Sequence, residues 1–96
     1  MYARTSTWSG SPEALESWEA HVVAKVAPMV AGLPGNADAF FFVDRDSGRA
    51  LTLTLWESED AAAASDWTAD KSRDSTIAAT GVSLESRGRY RVLGRA

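Results

Sequence analysis

The stretch from Ala50 to Ser65, ALTLTLWESEDAAAAS, decides the fold because its periodicity changes halfway along. Leucine and threonine alternate up to Trp56, which predicts a β-strand with leucines on one face and Thr52, Thr54 and Trp56 on the other. Ser58, followed by acidic residues and an alanine run, predicts the capped start of a helix. The strand therefore leads directly into a helix, and it carries large side chains on both faces.

The N-terminal third of the chain predicts another strand followed by a helix. Residues 2–9 alternate like a strand, and Ser11 followed by Pro12 predicts a helix start. Apolar residues then recur at spacings of three and four as far as Leu33, which is typical of an amphipathic helix. Pro28 is expected to kink this helix near its end or to end it early.

The remaining segments complete a β-α-β-β-α-β order. Residues 37–45, with three consecutive phenylalanines, predict a strand that forms a hairpin with residues 50–56. The helix that follows is expected to run to about Thr80, and residues 82–93 predict a last strand with a bulge at Gly88. This order predicts an α+β, ferredoxin-like fold, in which two helices cover one face of a four-stranded antiparallel sheet.

The chain has the length of one domain, and residues 1–96 are expected to form it. The leucines between residues 51 and 55 would lie on the face of the sheet that the helices leave uncovered. A lone subunit would expose that apolar face to water, which favours a homodimer formed through the sheet face.

Composition argues against several classes of function. The chain has no cysteine, which excludes disulfides, thiolate metal sites and a cysteine nucleophile and favours a cytoplasmic location. No signal peptide or membrane-spanning segment is predicted, and a net charge of −3 argues against nucleic-acid binding. One histidine among scattered carboxylates predicts no metal site, and the lack of a glycine-rich phosphate loop predicts no nucleotide cofactor.

Three motifs carry a resemblance to a known family: VAGLPG at residues 30–35, VDRDSGR at residues 43–49 and LWESEDA at residues 55–61. With the element order, they make the sequence similar to the antibiotic biosynthesis monooxygenase-like domains of the dimeric α/β-barrel superfamily. The resemblance implies that the sheets of two subunits close into a barrel. It also implies that each subunit binds a small molecule between its helices and its sheet.

The resemblance further implies where the site lies. Members that oxidise aromatic polyketides place a tryptophan at the end of the third strand and an amide side chain four positions earlier, where this chain has Trp56 and Thr52. Many members carry a histidine nine residues after the tryptophan, where this chain has Ser65. The haem-degrading branch combines an asparagine on the first strand with a histidine on the second helix, and this chain has neither.

The candidate site residues each keep two interpretations. Trp56 is either a core residue or a wall of the ligand cleft that works with Thr52. His21 is either a surface residue or a general base that would join these two in catalysis. The residues predicted to bind the substrate along the cleft are Trp8, Thr54, Trp67 and Arg4. Of these, Arg4 would hold a carboxylate or an enolate.

Two further segments also leave alternatives open. The second helix is rich in alanine, so it either packs close to the sheet or leaves an apolar pocket beneath it. Arg87, Arg89 and Arg91 share one face of the last strand, where they form either a solvated edge or a strip that holds an anion.

Two functions therefore remain from the sequence. The first is binding of a small aromatic molecule by a homodimer, with oxygenation of a phenol or anthrone that uses no cofactor because the substrate supplies the electrons. The second is a non-catalytic ligand-binding or structural homodimer of the same fold.

Overall fold

Four antiparallel strands form one sheet, and the helices pack on one of its faces, in a computed structural model that describes all of residues 1–96. The strands are β1 (Tyr2–Ser9), β2 (Asn36–Asp44), β3 (Arg49–Trp56) and β4 (Ser83–Arg91). The helices are α1 (Pro12–His21), α2 (Ala27–Ala31), α3 (Glu59–Ala64) and α4 (Asp66–Thr80). The strand order β2-β3-β1-β4 gives the predicted ferredoxin-like α+β fold. No helix is long and apolar enough to cross a membrane.

The two central strands, β1 and β3, turn one set of side chains towards the helices. Arg4 pairs with Thr54, Ser6 with Thr52, and Trp8 with Ala50. These pairs share the helix-facing side because directly opposed residues of an antiparallel pair lie on the same face. The prediction that β3 has two distinct faces is confirmed.

The first helix begins as predicted but does not stay regular. Its N-terminus is capped by Ser11, whose Oγ accepts a hydrogen bond from the backbone nitrogen of Ala14 at 3.1 Å. A π-helical turn, Val22–Val26, then separates α1 from α2. Pro28 lies in the first turn of α2. If the helix before it were a regular α-helix, the proline ring would clash with the carbonyl group four residues earlier. The wider turn before Pro28 thus takes the place of the expected kink.

The second helix is not continuous, so the prediction of one helix up to Thr80 is wrong. The chain breaks at Ser65, which separates α3 from α4. In an unbroken helix, the carbonyl of Ala62 would accept from the backbone nitrogen of Asp66. Here that carbonyl accepts from Nη2 of Arg4 and from Oγ of Ser65. The helix does end where expected, at Gly81, whose φ of 82° is left-handed.

The last strand is irregular, but not at the position that the sequence predicts. Thr7 pairs with Ser86 while Trp8 pairs with Leu84, so the extra residue is Glu85 rather than Gly88. Gly88 pairs regularly with Thr5. A Cβ atom there would come within 2.6 Å of the Tyr90 ring, so the glycine leaves room for that ring to lie across the strand.

The apolar core lies under the first helix and is thin under the fourth. Leu15, Trp18 and Val22 pack against Trp8 and neighbouring residues of the sheet. By contrast, the buried side chains of α4 are threonines. Thr76 and Thr80 each donate a hydrogen bond to the carbonyl four residues earlier, which satisfies their hydroxyl groups without a partner on the sheet.

The opposite face of the sheet carries exposed aromatic residues, as the sequence predicts. Phe40 pairs with Leu53 and Phe42 with Leu51, on the side away from the helices. The two phenylalanine rings stack 6.2 Å apart and are 41% and 49% exposed. Tyr90 of β4 extends this apolar face, which we call the open face of the sheet.

Candidate functional site

A small cavity lies between the helices and the sheet. Its volume is about 60 Å³. The side chains that line it from the sheet are Arg4, Ser6, Trp8, Thr52, Thr54 and Trp56. Those that line it from the helices include Trp18, Val22, Val26, Met29, Ala69, Ser72, Arg73 and Thr76. In this conformation the cavity has room for a few water molecules, whereas pockets for drug-sized ligands measure roughly 300–1,000 Å³.

Two tryptophans in the cavity wall donate hydrogen bonds from their indole N–H groups to threonine hydroxyls. Nε1 of Trp8 donates to Oγ1 of Thr52 at 3.2 Å, and Nε1 of Trp56 donates to Oγ1 of Thr54 at 3.0 Å. Trp56 is 2% exposed, so it is a core residue and a cavity wall at once. The Thr52 hydroxyl accepts from Trp8, which leaves its own hydrogen free to donate. A cavity occupant therefore meets flat indole rings and a threonine hydroxyl.

Arg4 is buried at the end of the cavity and directs its hydrogen bonds to the junction of α3 and α4. Nη1 donates to Oγ of Ser65 at 3.0 Å, and Nη2 donates to the carbonyl of Ala62 and to the carboxylate of Asp66. The guanidinium carbon also lies 5.7 Å from the ring centroid of Trp56. Burial lowers the pKa of Arg4, and the neighbouring carboxylate of Asp66 opposes that shift. Arg4 thus ties the junction of α3 and α4 to β1.

Ser65 occupies the position where the resemblance implies a histidine. It is 6% exposed, accepts from Arg4 and donates to the carbonyl of Ala62 at 2.7 Å. The hydroxyl hydrogen of Ser65 is therefore already engaged within the protein. The sequence offered a signal for this partnership, because one arginine on the helix-facing side of a central strand requires a buried acceptor.

Two of the candidate residues lie outside the cavity. His21 and Trp67 line a separate groove between the first helix and α4, together with Lys25 and Lys71. Trp67 is 69% exposed, and the ammonium group of Lys71 lies 4.4 Å from its ring centroid. Trp67 lies outside because α4 turns its small and polar side chains towards the sheet, whereas His21 ends α1 away from the apolar side of that helix. The cavity therefore brings together Trp56, Thr52, Thr54, Trp8 and Arg4, whose functional roles stay predictions.

A second, open groove lies beside β4 and has a volume of about 330 Å³. We call it the arginine groove; its charged residues are Arg4, Asp66, Asp70, Arg73, Arg87 and Arg89. The strand pattern of the sequence indicates the arginines of β4 but neither Arg73 nor the two aspartates, because nothing in the sequence shows which side of α4 meets the last strand.

The ion pairs of the arginine groove are unevenly distributed. Asp66 pairs with Arg4 and Arg89, whereas Asp70 pairs with Arg73 and, at 3.4 Å, with Arg87. The hydrogen bond from Arg89 and the charge of Arg4 hold the pKa of Asp66 below its usual value. The hydrogen bond to Asp66 in turn raises the pKa of Arg89. No group of three or more metal-ligating side chains lies together in the structure.

Comparison with protein sequences gives partial matches. No family model matches the chain. The uncharacterized protein Rv2557 of Mycobacterium tuberculosis is 35% identical over 65 residues, which cover 68% of this chain and 29% of that protein. The uncharacterized protein Rv2558 of the same organism is 34% identical over 65 residues and is covered to 28%. The chain thus spans less than a third of the length of these relatives.

Comparison with solved structures gives matches over nearly the whole chain. A putative antibiotic biosynthesis monooxygenase from Deinococcus radiodurans has a TM-score of 0.79 and 19% identity, with 100% of this chain and 95% of that chain covered. The monooxygenase ActVA-Orf6 of Streptomyces coelicolor, in complex with nanaomycin D, has a TM-score of 0.75 and 16% identity, with 99% and 89% covered. A variant of SnoaB, a cofactor-independent oxygenase from Streptomyces nogalater, has a TM-score of 0.73 and 16% identity, with 98% and 94% covered. The chain therefore has the fold of the antibiotic biosynthesis monooxygenase-like proteins, as the motifs predicted.

Proposed function

We propose that residues 1–96 form a domain that binds a small hydrophobic, aromatic molecule between its helices and its sheet. The observation that carries this proposal is the wall of the cavity, where the rings of Trp8, Trp18 and Trp56 surround an apolar space. Aromatic walls with a few polar groups are typical of small-molecule sites. The free hydrogen of the Thr52 hydroxyl would orient a ligand oxygen.

A ligand of this class needs more room than the cavity offers, so the helices have to move apart when it binds. The fourth helix is the element best suited to move. It contributes alanine, serine, threonine and one arginine, Arg73, to the cavity, while its tryptophan faces solvent. Its displacement would therefore break few apolar contacts, whereas a displacement of α1 would open the main core.

Binding is tested by calorimetric titration of 2-naphthol, a planar phenol of the proposed class. The variant Ala69→Leu would fill the cavity from α4, and we expect it to weaken binding at least tenfold. Ala79→Leu is the matched control, because Ala79 is exposed on the same helix and lies outside the cavity. Equal affinity of the two variants would place the ligand elsewhere, and no binding by the unmodified protein would refute the proposal.

A second candidate function is oxygenation of the bound molecule without a cofactor. It is favoured by the fold shared with SnoaB and ActVA-Orf6, which are an oxygenase and a monooxygenase. In the balanced reaction, an anthrone loses a proton, its carbanion reacts with O₂, and a quinone and water are formed. No carboxylate or imidazole lines the cavity, so a water molecule bound to the substrate would take the proton.

Catalysis is tested by following quinone absorbance when anthrone or a dihydroxynaphthalene is incubated with the protein in air. We expect the double variant Trp56→Phe/Thr52→Ala to lose the activity, while Trp67→Phe, outside the cavity, keeps it. Equal rates for the double variant and the unmodified protein would exclude this chemistry at the cavity. Binding of 2-naphthol with quinone formation at the rate of buffer alone would assign the non-catalytic alternative.

The open face of the sheet supports a homodimer. Phe40, Phe42 and the leucines of β3 form a continuous apolar surface, which a second copy of the same face would cover. We expect a dimer in analytical ultracentrifugation and a monomer for Leu53→Glu, at the centre of this face. Ala78→Glu, on the exposed side of α4, should leave the dimer intact. A monomeric unmodified protein at micromolar concentration would refute the dimer.

A further inference from the structure

The arginine groove carries an excess of positive charge in a protein of opposite net charge. It contains four guanidinium groups and two carboxylates, a balance of +2, whereas the whole chain has a net charge of −3. Positive charge that is concentrated in a groove attracts anions even when the whole protein is acidic. The solvated-edge interpretation of β4 does not account for Arg73, which belongs to α4 and is only 13% exposed.

The hydrogen-bond donors of the groove outnumber the acceptors that the protein supplies. Each guanidinium has five N–H donors, whereas the two carboxylates offer about eight acceptor sites, and only Arg4 has further acceptors, at Ser65 and Ala62. Arg87 has the weakest pairing: its side chain is 61% exposed and its ion pair with Asp70 is 3.4 Å long. Arg87 therefore keeps most of its donors for a ligand.

The arginine groove continues the cavity. Arg4 and Arg73 line both spaces, so the polar groove begins where the apolar cavity ends. A molecule with an aromatic body and an anionic group would therefore find an apolar space and guanidinium donors next to each other. Planar guanidinium groups match carboxylates in particular, because two parallel N–H bonds fit the two oxygens.

We propose that the natural ligand is an aromatic carboxylic acid, whose ring enters the cavity and whose carboxylate binds in the arginine groove at Arg87 and Arg73. This proposal rests on the proposed binding function and specifies its ligand class. Asp70 competes with the carboxylate for the same two arginines, so it limits the affinity.

The test compares 2-naphthoate with 2-naphthamide, which has the same rings and no charge, by calorimetric titration at neutral pH. We expect naphthoate to bind about tenfold more tightly than naphthamide, because only the carboxylate accepts charge-assisted hydrogen bonds from the arginines. The difference in affinity should increase at low salt, where the charges are screened less. Arg87→Gln should remove most of this preference and leave naphthamide binding unchanged. Asp70→Asn should strengthen naphthoate binding, because it frees both arginines.

Arg91→Gln is the matched control, because Arg91 lies on the same face of β4, carries the same charge and does not line the groove. It should leave both affinities unchanged. Equal binding of naphthoate and naphthamide would overturn the carboxylate site and leave the cavity proposal standing. Equal weakening by Arg87→Gln and Arg91→Gln would show unspecific attraction and would also overturn it. Binding of neither compound would refute the binding function and this proposal with it.

Discussion

The strongest structural prediction concerns the contact between Arg4 and Ser65, which joins β1 to the break between α3 and α4. The hydrogen bond from Nη1 to Oγ spans 61 positions in sequence, and both residues are buried. If this contact causes the break, Arg4→Met and Ser65→Ala should affect the free energy of unfolding in a coupled way. A double-mutant cycle measures that coupling.

The expected magnitude follows from the hydrogen bonds that each variant removes. Ser65→Ala removes the bond to the Ala62 carbonyl, worth about 1 kcal/mol, and leaves a buried N–H of Arg4 without an acceptor, which costs about 1–3 kcal/mol more. In the Arg4→Met background only the first loss remains. We therefore expect a coupling energy of about 1–3 kcal/mol.

Urea unfolding at one fixed protein concentration, followed by tryptophan fluorescence, measures all four members of the cycle. Ser58→Ala is the control, because the Ser58 hydroxyl caps α3 by accepting from the backbone nitrogen of Ala61 and makes no hydrogen bond to a group that Arg4 contacts. It should cost about 1 kcal/mol in both backgrounds, additively within about 0.5 kcal/mol. A coupling of less than about 0.5 kcal/mol for Ser65→Ala would refute the role given to Arg4.

Two further predictions test the charges and the turns. The pKa of Asp66 is lower in the folded protein than its unfolded value of about 3.9, so its ion pairs stabilise the fold above that pH and this contribution is lost as pH falls through the folded pKa. The stability difference between the unmodified protein and Asp66→Asn should therefore shrink below about pH 4 in urea unfolding, and a constant difference would contradict this. Gly35 has a φ of 80° and its added Cβ would lie 2.5 Å from Cβ of Ala61, so Gly35→Ala should cost at least about 2 kcal/mol, whereas Gly94→Ala should cost almost nothing. Added to the Gly35→Ala variant, Ala61→Gly should restore only the part of the lost stability that the steric clash causes. Full recovery would show that the φ angle of residue 35 causes no strain.

The fold could be predicted because its signals are local. The alternation of β3, the caps at Ser11 and Ser58 and the glycine at the end of α4 each depend on residues within a few positions. The break at Ser65 could not be located in advance: an arginine on the helix-facing side of β1 indicates that a buried acceptor is needed, but not which residue of the distant helix supplies it. The extra residue in β4 was misplaced at Gly88 because a glycine suggests a bulge, while the actual reason for that glycine is the ring of Tyr90.

The residues that line the cavity were predictable on the sheet and not on the helices, and their functional roles stay predictions. A strand side chain points to one of only two faces of the sheet. Once β3 was recognised, Thr52, Thr54 and Trp56 had to share a face, and this face forms the sheet side of the cavity. The orientation of α4 has no such constraint, because that helix lacks a stripe of large apolar residues. Trp67 was therefore assigned to the cleft on residue type, and it lies in a different groove together with His21, for which a surface position was one of the two interpretations.

The polar underside of α4 also has an energetic consequence for ligand affinity. A helix that buries threonines instead of leucines is expected to have a low free energy of local opening, and a fraction of molecules would then be open before any ligand arrives. A ligand too large for the closed cavity binds only that fraction, and its apparent dissociation constant is the intrinsic one divided by the open fraction. Each 1.4 kcal/mol of opening free energy then costs a factor of about ten in affinity. The packing of a helix that contributes few ligand contacts would thus set how tightly the domain binds.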